Sequence, residues 1–124
     1  NSNPIQDKND RLLGRFGDIF KFATNYVNYQ NIKEIFGKEM NYTGWLQIVL
    51  SYNIKDSMDI RVEDSFELSE EKILSVLTEH SPEINETITD KTGIVRIIKQ
   101  KKDEFELSTG GGKVKSVIDV RKKA

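Results

Sequence analysis

The sequence predicts an α+β fold: a curved antiparallel sheet of about five strands packed on a long N-terminal helix, in the order ααββαβββ. Three observations predict it. First, Leu12, Leu13, Phe16, Ile19, Phe20, Ala23 and Val27 recur at helical spacing within Asp10–Tyr29. At about 100° per residue they share an arc of roughly 120°. Second, Leu46, Ile48, Leu50, Tyr52 and Ile54 fall on one face of an extended stretch, and Met58, Ile60 and Val62 alternate with Asp59, Arg61 and Glu63. That alternation is the mark of half-buried strands. Third, the last third contains three short apolar stretches separated by turn residues.

Taken in order, residues 1–9 are polar and aperiodic, a linker or expression remnant, and residues 10–124 form one α+β domain. The chain opens Asn1-Ser2-Asn3-Pro4 rather than at Met. It is therefore expected to be excised from a longer protein with an upstream signal or anchor. Asp10 is the expected N-cap of the first helix. Phe22, Tyr26 and Tyr29 form a second aromatic stripe at the edge of its apolar face and beyond. Asn31-Ile32-Lys33-Glu34 resembles a capping box and opens a short second helix that Gly37 stops. Trp45–Ile54 is the clearest strand. Lys55-Asp56-Ser57 makes a loop, and Met58–Val62 completes a hairpin. Ser69 caps a third helix, with Glu70 and Glu71 suiting the positive end of its dipole. Ser81-Pro82 ends that helix or caps one further turn. Ile94–Lys101 is apolar on both faces in its middle and is expected to be central. Glu104–Ser108 and Val114–Val120 complete the sheet.

Charge is unevenly spread. The chain carries a net −1, but residues 56–90 hold 11 acidic and 2 basic groups, whereas residues 91–124 hold 4 acidic and 10 basic. An acidic middle beside a basic end suits either a solvated surface or a partner-facing one. Cysteine is absent, which excludes disulfides, thiolate metal sites and cysteine nucleophiles. No apolar run approaches the ~20 residues of a membrane-spanning helix.

Sequence chemistry offers little for catalysis. His80 is the only histidine, so paired-histidine metal sites are excluded, and a capping or surface role is the simpler reading. Thr109-Gly110-Gly111-Gly112-Lys113 lacks the spacing of a phosphate loop and precedes a strand, so its glycines are expected to turn a hairpin. The acidic run from Glu63 to Glu71 lacks the order of a calcium loop. The basic C-terminal third has no interleaved stacking aromatics, which argues against nucleic acid. Neither a catalytic residue, a cofactor nor a metal ligand is expected.

The aromatic first helix (Leu12 to Tyr29), the short second helix (Asn31 to Phe36) and the late run of three strands (Ile94 to Val120) resemble the cystatin-like superfold. It is also called nuclear-transport-factor-two-like. That resemblance implies one of two roles: a cavity enzyme, or an assembly module such as the extracytoplasmic domain of VirB-type conjugative secretion factors. The expected inward positions are almost uniformly apolar: Leu46, Ile48, Leu50, Ile60, Val62, Phe105, Leu107, Ile118 and Val120. Tyr26, Tyr52 and Asp18 are the polar candidates near a cavity mouth.

The expectation is therefore a non-catalytic assembly or interaction domain. It would be the extracytoplasmic part of a membrane-anchored factor, as in a Gram-positive conjugative type IV secretion system. Its partners would be proteins, including further copies of itself, with the membrane reached through an upstream anchor alone. Phe22, Tyr26, Tyr29, Glu67, Glu70 and Glu71 are the expected interaction residues. The alternatives are a small-ligand or enzymatic cavity protein of the same fold, a cytoplasmic location, and an immunity or inhibitor protein using acidic segment 56–90.

Overall fold

The computed structural model describes residues 18–108 and 112–121. The chain is α+β, with a two-stranded sheet, a four-stranded sheet and a layer of helices. Strands β1 (Ile19–Phe22) and β2 (Asn25–Asn28) form an antiparallel hairpin. Helix α1 (Tyr29–Met40) follows directly. Strands β3 (Leu46–Asn53) and β4 (Lys55–Glu63) make the second hairpin. Helices α2 (Glu70–His80) and α3 (Pro82–Asp90) then lead to β5 (Gly93–Gln100). A 3-10 turn (Lys102–Glu104) precedes the short β6 (Val117–Asp119).

Residues 19–28 are the main departure from expectation. They form a hairpin where the helical periodicity predicts the second half of a long helix. In the strand Ile19-Phe20-Lys21-Phe22, exposed and buried positions alternate, so the period of two overrides the helical one. Phe20, Phe22 and Val27 enter the core from this hairpin, and Ala23 turns the chain with a φ of 56°. The expected cap Asp10 and the positions Leu12, Leu13 and Phe16 lie outside the described residues.

The expected second helix is real but longer than predicted. Its cap is Asn28, whose side chain accepts from the backbone N–H of Gln30 at 2.8 Å, rather than Asn31. It runs through Gly37 and stops at Asn41 in the left-handed region. Glu34 pairs along the helix with Lys38 at 3.0 Å instead of closing a capping box. Ile32, Phe36 and Met40 form its buried stripe.

Ser69 caps α2 as expected, its hydroxyl accepting from Lys72 N–H at 3.1 Å. Ser81 serves two helices. Its N–H donates to Leu77 at the end of α2 (2.8 Å), and its hydroxyl accepts from Ile84 N–H at the start of α3 (3.3 Å). Pro82 takes the first helical position, where a missing N–H costs nothing.

The large sheet has the order β5-β4-β3-β6 and is mixed rather than antiparallel. The β3–β4 pair is antiparallel, whereas β4–β5 and β3–β6 are parallel. The α2–α3 crossover accounts for the parallel β4–β5 pair, because a chain that returns through helices re-enters the sheet in its original direction. Strand β5 consequently lies at an edge and not at the centre. Its two apolar faces have separate causes: Val95 and Ile97 join the core, while Ile94 remains exposed on the opposite face. The expected strand Glu104–Ser108 reduces to the 3-10 turn and a single bridge between Leu107 and Val114. That bridge, with Ser108 N–H donating to Lys113 at 2.7 Å, closes the hairpin expected around the glycine run. Residues 109–111 of the run lie outside the described residues.

Leu46, Ile48 and Leu50 from β3, and Met58, Ile60 and Val62 from β4, face Ile32, Phe36, Ile73, Leu77 and Ile84 of the helices. Each such side chain contributes about 1.5–3 kcal/mol by leaving water. Leu107 and Val120, expected inside, are 47% and 59% exposed. Phe105 is buried on the far side of the sheet, edge-on to Trp45 at 5.7 Å between ring centroids.

Residues 101–108 and 112–116 lie between the β5 and β6 edges, on that far side. Gln47, fully buried, fastens them. Its amide nitrogen donates to the carbonyls of Glu106 (2.7 Å) and Lys115 (2.9 Å). Its oxygen accepts from Arg61 (2.8 Å) and from Glu106 N–H (3.2 Å). At the opposite end of the sheet, Arg121 donates to Asp119, Asp56 and the carbonyl of Lys21, which ties the C-terminal strand to the β1–β2 hairpin.

The turn before β3 contains a buried tyrosine. Tyr42 donates to the Trp45 carbonyl and accepts from Glu63 N–H at 2.9 Å. Burial, with the nearby Glu63 carboxylate adding to it, pushes its phenol from 10.0 up to about 12. A raised folded-state value means that the folded protein holds this proton more tightly than the unfolded chain. The associated stability is therefore complete below pH 10.0 and is lost as pH rises towards about 12. A two-unit shift corresponds to about 2–3 kcal/mol. Denaturant unfolding of wild type and Tyr42→Phe across this window is expected to show the wild type losing its advantage over the variant.

Candidate functional site

Side-chain placement divides the expected interaction residues. Phe22 is fully buried in the core, and Tyr29 is buried with its hydroxyl donating to the Leu46 carbonyl at 2.7 Å. The three residues do not share a helical stripe: Phe22 and Tyr26 lie on the β1–β2 hairpin, and Tyr29 opens α1. Tyr26 alone is on the surface, 69% exposed. Glu67, Glu70 and Glu71 are exposed at and just before the start of α2.

The structure joins Glu70 and Glu71 to a feature the sequence did not reveal. With Leu74, they form one wall of a groove of about 420 Å³ whose other wall is β5 from Val95 to Lys99. Among the described residues, strand β5 pairs with β4 along one side only, and no described strand covers its second edge. An open edge presents backbone donors and acceptors to any extended chain laid beside it. The basic groups on this wall are engaged: Arg96 with Asp59 at 2.9 Å, and Lys99 with the Phe66 carbonyl at 2.9 Å. Glu70 and Glu71 form no ion pair among the described residues, which leaves two carboxylates against the one unneutralised cation of Lys99. The signal in the sequence was the crossover length: two helices between β4 and β5 imply a parallel return.

The other candidates stay apart from this groove. His80 ends α2 with Nε2 3.5 Å from a Glu39 carboxylate oxygen. Asp18 is buried and accepts from the Gln30 side chain at 2.7 Å, while Tyr52 is 62% exposed. Among the described residues, no group of three or more His, Cys, Asp or Glu is placed to hold a metal ion. No helix among them is long and apolar enough to cross a membrane.

No family model matches the chain, and no curated protein matches it in sequence. Among solved structures it is similar to a domain of phenylacetate-coenzyme A ligase from Bacteroides vulgatus ATCC 8482. The identity is 16%, over 86% of this chain and 96% of that one, with a TM-score of 0.41. A likeness at that score carries no information about function.

Proposed function

We propose that this domain is a non-catalytic interaction module that captures an extended, basic segment of a protein partner along the free edge of β5. The observation that carries the reading is the open edge beside a helix wall bearing Glu70 and Glu71. An added strand gains affinity from main-chain hydrogen bonds and specificity from alternate side chains. Here those side chains meet Leu74 on one side of the groove and two carboxylates at its rim. Lysine or arginine at those positions suits the uncompensated charge.

The test uses a synthetic peptide of alternating valine and lysine. Glu70→Lys combined with Glu71→Lys is expected to weaken its binding by about tenfold or more. Reversing Glu79 and Glu86, exposed acids outside the groove, is expected to change it little. Equal losses from both pairs would reduce the effect to overall charge and overturn the reading. The expectation of an extracytoplasmic, membrane-anchored secretion factor belongs to the same proposal. Fractionation of the native protein with the cell envelope tests it.

A further inference from the structure

On the other side of the molecule, three chain segments enclose a second hollow of about 430 Å³. Tyr29, Gln30 and Lys33 reach it from the first turns of α1. Thr43, Gly44 and Trp45 reach it from the turn before β3, and Gly112, Lys113 and Ser116 from the approach to β6. Its volume lies within the range of small-molecule sites.

The charged residues that line it are both lysines, Lys33 and Lys113. Lys33 and Lys113 form no ion pair among the described residues, and two of the carboxylates near them in sequence are paired with other lysines. Glu34 pairs with Lys38 at 3.0 Å, and Glu106 with Lys115 at 3.5 Å. Glu63 accepts from Trp45 N–H at 2.7 Å and Asp18 from the Gln30 side chain at 2.7 Å; both donors are neutral, so these carboxylates keep their charge, but neither lines the hollow. A third cation, Lys102, sits 4.8 Å from the centre of the Trp45 ring. The first turn of α1, whose end carries positive dipole charge, contains no acidic residue. Two lysines, the hydroxyls of Thr43 and Ser116, and a hollow of this size suit a compact, multiply charged anion.

We infer that this hollow binds the phosphate groups of a small polyphosphate-bearing molecule, held by Lys33 from α1 and Lys113 from the approach to β6. Lysine meets phosphate as a point charge, and the hydroxyls supply neutral donors beside it. The spacing of the glycine run is not that of a phosphate loop, and the run contributes Gly112 and Lys113 as one wall only. It is assembled from residues that are distant in sequence.

Trp45 is the only tryptophan in the chain, so its fluorescence reports on the hollow directly. Inorganic pyrophosphate and ATP are titrated separately at low ionic strength. Fluorescence is recorded together with the amide resonances of Thr43, Gly44 and Ser116. Saturable changes are expected with both probes, weakening as salt is added. Lys33→Glu combined with Lys113→Glu is expected to reduce affinity by about tenfold or more. Both lysines are exposed, so the double variant is expected to melt like the wild type. Binding of pyrophosphate alone would support the assignment to phosphate. Binding of ATP alone would overturn it, as would saturation by neither probe or unchanged affinity in the double variant.

Discussion

Phe22→Ala is expected to lower the unfolding free energy by about 3–5 kcal/mol, which denaturant titration measures directly. Phe22 is fully buried, although it lies near the start of the described chain on a short two-stranded hairpin. Its ring packs so tightly on β5 that a methyl group added at Gly93 would stand 3.0 Å from the phenyl Cζ and 2.8 Å from the Thr87 methyl carbon. The ring therefore fills the space between the hairpin, α3 and the start of β5, and removing it leaves a cavity that three elements must close. Tyr26→Ala, four residues away at an exposed position, is the control and is expected to change stability by no more than about 0.5 kcal/mol. If residues 19–28 were helical with Phe22 outside the main apolar face, the two variants would behave alike.

Gln47→Leu is the second large effect, expected at about 3 kcal/mol or more. Leucine matches glutamine closely in volume, so little of the loss is packing. The substitution strands the Arg61 guanidinium, the N–H of Glu106 and the carbonyl of Lys115, which now converge on one buried amide, while the Glu106 carbonyl keeps only the Lys115 N–H at 3.0 Å. Because these groups belong to the segment crossing the far side of the sheet, the damage is expected to be local at first. Amide exchange at Glu106 and Lys115 should accelerate before exchange in β3 and β4 does. Uniform acceleration through the whole sheet would instead show that the crossing segment and the core open as one unit.

The β3–β4 hairpin was legible because strict alternation has no competing helical interpretation there, and Ser69 announced α2 through side-chain chemistry that works within four residues. Residues 19–28 misled for a physical reason. Phe20, Ala23 and Val27 satisfy a helical spacing while Phe20 and Phe22 satisfy a strand spacing. Burial against β5, which no local pattern encodes, decides between them. The same holds for β5: its paired apolar faces suggested a central strand, but its place in the sheet follows from the direction in which α2 and α3 return the chain. Of the candidate site, the acidic wall at Glu70 and Glu71 was visible as composition. The groove it borders was not, because a free edge is a property of strand order. The Lys33–Lys113 hollow was invisible for a similar reason, since its walls are about 80 residues apart in sequence.

The account depends most on β5 accepting another strand. Amide hydrogen exchange over residues 93–100, measured by NMR with and without the valine–lysine peptide, tests this most directly. The expected result is slowed exchange of the outward-facing β5 amides, with cross-strand contacts from peptide backbone to β5 backbone. Saturable binding that leaves these amides unprotected and perturbs another surface would contradict it.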